Sequence, residues 1–308
     1  MRDDVTHEPL VSIIVNNYNY GRFIQDAIES ALNQTYRNVE VIVVDDGSTD
    51  NSPEIISKYF ESGRIKAIFK ENGGQASAMN SGFQICRGDL VMFLDSDDVL
   101  KPEAIEMAVN AWHPGVSKVQ WRLQEIDGDG NSLGRFFPPL NAHLLNGNVK
   151  HIARRWFNFC ASPQSGNMYS REFLNRAMPL PESDWKLCAD FPLYAAAVFF
   201  GDIVSLPNVL GYYRLHGGNA VGLKEERFSV RLKGMYVLRK YLKERFPEYT
   251  VDLCQESLDE KKMRLIAELV EGEFGSPYGE RVKRGLSGFI DSLHYPFFTS
   301  KAKRIESA

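Results

Sequence analysis

Three carboxylates stand close together where an apolar segment of the chain ends. Asp95, Asp97 and Asp98 directly follow the run 90–94, which is apolar throughout and has the length of a strand buried on both faces. Because a buried strand does not carry unpaired charges, we expect the three side chains just beyond its carboxyl end. Carboxylates this close repel one another unless a cation binds them, and Mg²⁺ or Mn²⁺ prefers oxygen ligands. A cation bound there would serve to hold a diphosphate.

A solvated acidic turn is the alternative interpretation of the same residues. Lys101-Pro102-Glu103 resembles the start of a helix, with Pro in its first turn, and Asp is common in turns. Asp98 would then either orient the other two carboxylates or cap that helix, and capping is the preferred interpretation. The other polar clusters of the chain decide between a site and a turn.

Strands and helices alternate regularly over the first hundred residues. Apolar runs predict buried strands at 10–15, 39–44, 65–69 and 89–94, and apolar residues at helical spacing predict helices near 23–32, 52–60 and 74–86. Such repetition makes a doubly wound, mainly parallel sheet of the Rossmann-like kind. Polar clusters at 16–19, 45–48 and 95–98 then meet at one edge, where open α/β sheets bind ligands.

Strands and helices no longer alternate regularly beyond Trp112. We predict, in chain order, a strand at 116–126, a hairpin turn at 127–131, a short helix at 149–158, a strand at 165–169, helices from Arg171 and over 190–200, and a strand at 203–210. Helices are predicted at 224–246, 252–272 and 279–294. The expected organisation is one α/β domain over 1–220, in parts of about 10–112 and 113–220, followed by a helical C-terminal appendix over 221–308.

Composition excludes several classes of protein. The 308 residues carry a net charge of −4 without a dense basic stripe, so nucleic acid is not an expected partner. No apolar run approaches the roughly 20 residues of a membrane span, and no secretory signal follows the first residues. The four cysteines are far apart and suit neither a disulfide framework nor a zinc site. A cytoplasmic location is therefore expected.

Five short motifs occur in order along the chain, namely 11–15 with Tyr18-Asn19, 44–50, Asn72-Gly73-Gly74 with Asn80-Ser81-Gly82, Gly88-Asp89 and Asp95-Ser96-Asp97. Their order and spacing resemble the inverting glycosyltransferases of family 2, which have the GT-A fold. Each motif alone is weak evidence, but the whole set in this order is specific. The resemblance is dense from residue 10 to about 112, looser to about 219, and does not cover 221–308.

The resemblance implies that a nucleotide-diphosphate sugar, with UDP as the expected nucleotide, is the donor. Asp46 would accept a hydrogen bond from an N–H group of the base, and Asp95 would lie near the ribose and the metal. Relatives carry Arg where Met79 stands, so Gln75 is expected to substitute for it. The other nucleotide-binding residues so implied are Val15, Asn16, Tyr18, Asn72 and Gly73. An ordinary turn residue is the alternative for Asp46.

The same resemblance implies Mn²⁺ or Mg²⁺ bound by Asp97 and Asp95. In the segment 213–219, which resembles a closing loop, His216 would add a nitrogen ligand and Arg214 would offset the charge of the diphosphate. A purely structural role is the alternative for His216.

Asp190 matches the catalytic base of the family. A positioned carboxylate that removes the proton of a sugar hydroxyl contributes about 10²–10⁴ in rate. The alternative is that Asp190 only caps the helix that starts there, and Asp184 is the reserve candidate. The implied reaction is one in-line displacement, with inversion, onto a hydroxyl of a glycan or lipid-linked acceptor.

The sequence is also compatible with two other functions. A nucleotidylyltransferase would need a glycine-rich, basic loop after the first strand, whereas residues 16–21 hold a single Gly, with Arg22 nearby. A sugar-nucleotide-binding protein without activity is the other alternative. The basic, amphipathic stretch 224–245 either packs on the body, which we prefer, or makes peripheral contact with the inner face of a membrane.

Overall fold

One mixed sheet organises the part of the chain that the computed structural model describes, namely residues 8–150, 160–217, 237–238 and 240–249. Its strands are β1 (Val11–Asn17), β2 (Val39–Asp45), β3 (Lys66–Phe69), β4 (Leu90–Asp95), β5 (Val99–Leu100), β6 (Val116–Asp127), β7 (Ser132–Phe137), β8 (Asn167–Ser170) and β9 (Asp202–Leu215). The helices are α1 (Ile24–Leu32), α2 (Ser52–Glu61), α3 (Gln75–Ile85), α4 (Ala104–Ala111), α5 (Arg171–Ala177) and α6 (Asp190–Phe200). Short 3-10 helices lie at Gln164–Gly166 and Pro247–Tyr249.

The order of the strands brings the ends of β1, β2 and β4 together. Neighbouring strands follow the order β3-β2-β1-β4-β8-β6-β9-β5, and β7 pairs with β6. The strands β1 to β4 pair in parallel, β8 runs antiparallel between β4 and β6, and β6 and β9 are parallel. Because parallel strands end at the same edge, the polar residues after β1, β2 and β4 meet there.

The central strands are buried on both faces, as expected for a parallel sheet covered by helices. No residue of the runs 11–15 and 90–94 is exposed to solvent. On one face, α1 buries Ile24, Ala27 and Ile28 against the core. A rigid, dry centre of this kind fixes the positions at which the polar strand ends emerge.

The α/β fold predicted from the sequence is confirmed, including every strand and helix expected up to residue 112. The hairpin at 127–131 and the helices that begin at Arg171 and Asp190 are also found. The short strand β5 was not predicted. Strand β9 extends to Leu215, so residues 213–215, expected in a closing loop, belong to the sheet instead.

The chain divides into two compact units, Met1–Gly222 with Lys240–Tyr249, and Leu223–Arg239 with Thr250–Ala308. The helices predicted at 252–272 and 279–294, and residues 151–158 of the one predicted at 149–158, lie outside the described residues. Within the helix predicted at 224–246, residues 237–238 and 240–245 are helical, whereas residues 224–236 and 239 lie outside the described residues. The domain boundary at residue 220 and the membrane contact of the appendix stay predictions. None of the described helices is long and apolar enough to cross a bilayer.

Helix α3 lies very close to β1 and β2 at Gly82. A Cβ atom at this position would lie 2.4 Å from Ile14 Cγ2 and 3.2 Å from Val44 Cγ2. Asn80 fixes the same helix on its other side, since its amide donates to Leu180 O over 2.9 Å and accepts from Leu180 N over 2.8 Å. The placement of α3, which carries Gln75 at its start, therefore depends on the missing side chain of Gly82.

We expect Gly82→Ala to lower the free energy of unfolding by about 1–3 kcal/mol, because the added methyl group overpacks the interface with Ile14. Helix propensity alone would raise it by about 1 kcal/mol. Urea denaturation measures the difference. The control Gln84→Ala, at an exposed position of α3, should change stability by no more than about 0.5 kcal/mol. A more stable Gly82→Ala variant would contradict this account of the packing.

Candidate active site

The carboxylate of Asp95 lies at the carboxyl end of β4 and is held by three amides. Strand register puts Asn16 of β1 beside Asp95, and its Nδ2 donates to Asp95 Oδ1 over 3.1 Å. The same oxygen accepts hydrogen bonds from Gln75 Nε2 over 3.3 Å and from Gln164 Nε2 over 2.5 Å. Because the three amides come from three different elements, they fix the direction of this side chain.

His216 faces Asp97, the second carboxylate of the turn. It directly follows β9, and its Nε2 lies 3.1 Å from Asp97 Oδ2. Tyr20 and Phe23 enclose the imidazole, with ring centroids 5.3 and 4.7 Å away. A carboxylate oxygen and an imidazole nitrogen therefore meet here, and both are ligand types that first-row divalent metals accept.

Asp98 and Arg214 tie this turn to β9. Asp98 is buried, and its Oδ1 accepts a hydrogen bond from Arg214 N over 3.0 Å. The guanidinium of Arg214 donates to Asp97 O and to Asp26 Oδ2, each over 2.9 Å. The N-cap of α4 is Glu103, so the prediction that Asp98 caps this helix is wrong. Arg214 is 5% exposed and is engaged within the protein, rather than open to a diphosphate.

Burial raises the pKa values of all three carboxylates of the turn. Burial, with repulsion from Asp97 and Asp190, raises the pKa of Asp95 to about 8. Burial also raises the pKa of Asp97, against the effect of the hydrogen bond from His216. The pKa of Asp98 is raised well above its usual value by burial and by the two neighbouring carboxylates. Negative charges in such surroundings are stabilised by a bound cation.

The atoms of Asp95, Asp97 and His216 fit Mn²⁺ or Mg²⁺ in type and in charge. Among the described residues, however, no three His, Cys, Asp or Glu side chains already form a group that could hold an ion. Mg²⁺ commonly binds through one or two carboxylates together with phosphate oxygens of a substrate. The ligand set here is consistent with a cation that binds together with a diphosphate.

Asp46 holds the loop that follows β3. Its Oδ1 accepts hydrogen bonds from Lys70 Nζ over 2.6 Å and from Gly73 N over 3.0 Å. Its Oδ2 accepts from Gly74 N over 2.7 Å. Asp46 is 2% exposed, and a nucleotide base that bound its carboxylate would share it with these donors. The predicted role of Asp46 in base binding stays a prediction.

Gln75 joins the end of β4 to the segment that precedes α6. In addition to its contact with Asp95, its Nε2 donates to Gln164 Oε1 over 3.1 Å. Its Oε1 accepts a hydrogen bond from Ala189 N over 2.9 Å. Ala189 directly precedes Asp190, so this amide brings the predicted base and the predicted donor site to the same edge of the sheet.

Asp190 is the first residue of α6, and Ala189 occupies the N-cap position. Burial raises the pKa of Asp190 to about 6, although the nearby backbone N–H groups and Lys118 oppose this effect. A carboxylate with this pKa is mostly ionised at neutral pH and is basic enough to accept a proton in a transition state. The arrangement suits a general base.

A fully buried lysine lies beside the first turns of α6. Lys118, on β6, is 1% exposed, and its Nζ donates to Gln120 Oε1 over 2.9 Å. The ammonium lies 5.7 Å from the ring centroid of Tyr194, one helical turn after Asp190. Burial lowers the pKa of Lys118 to about 7, against the effect of Asp190. Neither Lys118 nor Gln164 was singled out from the sequence.

The remaining predicted nucleotide-binding residues differ in exposure. Val15 is fully buried, so only its backbone is available to a ligand. Tyr18 is 46% exposed beyond the end of β1, and Asn72 is exposed in the loop after β3. The contacts of these three residues with a nucleotide stay predictions.

Comparison with known proteins identifies the family. The sequence model described as glycosyl transferase family 2 matches residues 12–176. An uncharacterized glycosyltransferase from a Nostoc species is 35% identical over 242 residues, which are 75% of this chain and 74% of that protein. Several further curated relatives, among them bacterial chondroitin and hyaluronan synthases, match over a third of their own length or less.

Solved structures with low sequence identity share the fold. S. aureus TarS in complex with UDP-GlcNAc superposes with a TM-score of 0.61 at 17% identity, over 93% of this chain and 88% of TarS. The mannosyltransferase PcManGT from Pyrobaculum calidifontis, in complex with GDP-Man and Mn²⁺, gives a TM-score of 0.56 at 18% identity, over 94% of this chain and 82% of that one. The chain therefore belongs to glycosyl transferase family 2 and is a glycosyltransferase with the GT-A fold.

Proposed function

We propose that this glycosyltransferase moves a sugar from a UDP-sugar to a hydroxyl group of a glycan or lipid-linked acceptor, with inversion at the anomeric carbon and with the help of Mn²⁺ or Mg²⁺. The names of its relatives support this choice, since TarS was solved with UDP-GlcNAc and other relatives are chondroitin and hyaluronan synthases. The complex of PcManGT with Mn²⁺ supports the cation. The proposed location is cytoplasmic.

In the proposed donor site, Asp46 selects the nucleotide base and Asp95 lies near the ribose. An ionised carboxylate only accepts hydrogen bonds, so it favours a base with an N–H donor, such as uracil. Asp97, with Asp95 and His216, would hold the cation, which when bound neutralises charge on the leaving diphosphate. The pKa values of Asp95 and Asp97, which burial raises, support this assignment, because a bound cation stabilises carboxylates that are removed from water.

In the proposed reaction, Asp190 takes the proton of the acceptor hydroxyl. The oxygen then forms a bond to the anomeric carbon from the face opposite the nucleotide, and the bond to the diphosphate oxygen breaks with its electron pair. One displacement of this kind inverts the anomeric configuration. The proposal rests mainly on the hydrogen bonds of Gln75 with Asp95 and with Ala189. These two hydrogen bonds bring Asp190, the proposed base, and Asp95, in the proposed donor site, to one place.

Replacement of the base tests the assignment directly. We expect Asp190→Asn to lower sugar transfer about 10²–10⁴-fold, since the amide cannot accept the proton, while UDP binding stays within about threefold of the wild type. Release of UDP from UDP-GlcNAc measures the first quantity and calorimetric titration with UDP the second. The comparison variant is Asp184→Asn, at the reserve candidate for the base; Asp184 lies at an exposed position in the segment before α6, so this variant should keep the wild-type rate of transfer. Transfer at the wild-type rate by Asp190→Asn would remove Asp190 from the mechanism.

The pH dependence follows from the pKa of about 6 for Asp190. The base is active when deprotonated. At saturating UDP-GlcNAc and Mn²⁺, where a bound cation would keep Asp95 and Asp97 ionised, kcat should therefore be level above this pKa and fall about tenfold per pH unit below it. A series of assays from pH 4.5 to 8.5 under these conditions measures the profile, and the residual activity of Asp190→Asn should not show the decline at acidic pH. A profile that is flat through pH 6 would contradict the proposal.

The proposed cation site predicts linked binding of metal and nucleotide. UDP with Mn²⁺ should raise the melting temperature more than UDP with a chelator, because a ligand that binds only the folded state stabilises it. Asp97→Asn should abolish the part of the shift that depends on Mn²⁺, whereas Asp184→Asn should retain it. If chelation changes neither the shift nor turnover of the wild type, the cation is not part of this enzyme.

A further inference from the structure

The side-chain amide of Gln75 is fully engaged by groups of the protein. Its Nε2 donates to Asp95 Oδ1 over 3.3 Å and to Gln164 Oε1 over 3.1 Å. Its Oε1 accepts from Ala189 N over 2.9 Å. An amide nitrogen has two hydrogens to donate, so both donors of Gln75 have partners in the protein. These contacts do not suit a residue whose main role is to bind the donor sugar or nucleotide.

The backbone around Gln75 makes a second connection to the same segment. At the start of α3, Gln75 N donates to Lys186 O over 2.9 Å, and Ala76 N donates to Trp185 O over 3.1 Å. The first N–H groups of a helix have no partner within the helix, and here carbonyls of the segment 185–186 satisfy two of them. The start of α3 and the segment that leads to Asp190 therefore form one hydrogen-bonded unit.

Gly74 permits this close approach. It has φ +88°, and a Cβ atom at this position would lie 2.8 Å from Lys186 Cα and 3.0 Å from Lys186 O. Both the backbone conformation and the available space therefore require glycine. Asp46 Oδ2 binds the N–H of the same glycine, so the loop is fixed on both sides.

We propose that Gln75 is a positioning residue, which holds the segment 185–190 at a set distance from Asp95 and thereby places Asp190 relative to the donor. This inference rests on the proposed function of Asp190 and Asp95. It replaces the expectation that Gln75 substitutes for an arginine that contacts the nucleotide. The chemical consequence is that loss of Gln75 affects the rate of sugar transfer more than the binding of the donor.

Hydrogen exchange tests the structural part of this inference without the need for activity. In Gln75→Met, a variant of similar length without the amide, the amides of residues 186–193 should exchange about tenfold faster, since one hydrogen bond and its neighbours are lost. The affinity for UDP, measured by calorimetry, should stay within about threefold, while UDP release from UDP-GlcNAc should fall at least tenfold. Gln84→Met, at the exposed end of the same helix, should leave all three quantities unchanged.

Gln75→Glu provides a second test that does not depend on the folding of Gln75→Met. A carboxylate oxygen at this position still accepts from Ala189 N, so protection of residues 186–193 should be retained. The added charge faces Asp95, so UDP release should fall. Loss of protection in Gln75→Glu would overturn the inference.

The remaining outcomes separate this inference from the proposed function. If Gln75→Met binds UDP more than tenfold more weakly with unchanged exchange at 186–193, Gln75 is a donor contact and the inference is wrong. If the wild type neither binds UDP nor releases it from UDP-GlcNAc, the proposed UDP-sugar function fails. The exchange rates of the variants then still decide whether Gln75 holds the segment before α6.

Discussion

Asp95, Asp97 and Asp98 occupy three of four consecutive positions at the end of a strand whose other residues are completely dry. Each of these carboxylates is mostly removed from water, and a buried charge is costly unless hydrogen bonds or an opposite charge compensate it. The compensation visible in the described residues consists mainly of dipoles, namely amide and backbone N–H groups. Arg214 adds a positive charge, but its guanidinium also binds Asp26 Oδ2. Among the described residues around this turn, the carboxylates therefore outnumber the positively charged groups.

This excess charge explains much of the architecture around the site. Amide groups from β1, from the start of α3 and from the 3-10 helix before β8 converge on one oxygen of Asp95. Each of these elements is fixed elsewhere by the core, as α3 is at Gly82. The amide that helps to hold the carboxylate also holds Ala189, so the electrostatic requirement at β4 and the position of Asp190 are met by the same side chain, Gln75.

The sequence was sufficient to predict the sheet edge because its signals are local. Apolar strands that end in polar clusters indicate where a parallel sheet binds ligands, and all strands and helices expected before residue 112 are found. Contacts between distant segments were not predictable in this way. Gln164 reaches Asp95 only through the antiparallel insertion of β8 between β4 and β6. Asp98 stands a few residues before a helix, yet it binds the backbone of Arg214 in β9.

Lys118 shows a second reason why parts of the site were not predictable from the sequence. Lys118, Gln120 and Arg122 alternate with apolar residues along β6, a pattern that is typical of a face exposed to solvent. In the structure Lys118 is completely buried, because the apolar helix α6 covers this part of the strand and brings Tyr194 against the ammonium. Lysine is almost never buried without a partner. The burial of Lys118 depends on its contact with α6, which the sequence of β6 alone does not reveal.

The two ends of the proposed site differ in the way negative charge is balanced. At β4, burial raises the pKa values of Asp95 and Asp97, although His216 and Arg214 oppose the rise for Asp97. At α6, Lys118 lies close enough to oppose the rise in the pKa of Asp190, which reaches only about 6. With a pKa of about 6, the base can be ionised before metal and donor arrive, whereas in the proposed site the carboxylates at β4 would receive countercharge from a bound cation. In this scheme, binding of metal with the diphosphate completes the donor end, while Asp190 is already mostly ionised at neutral pH.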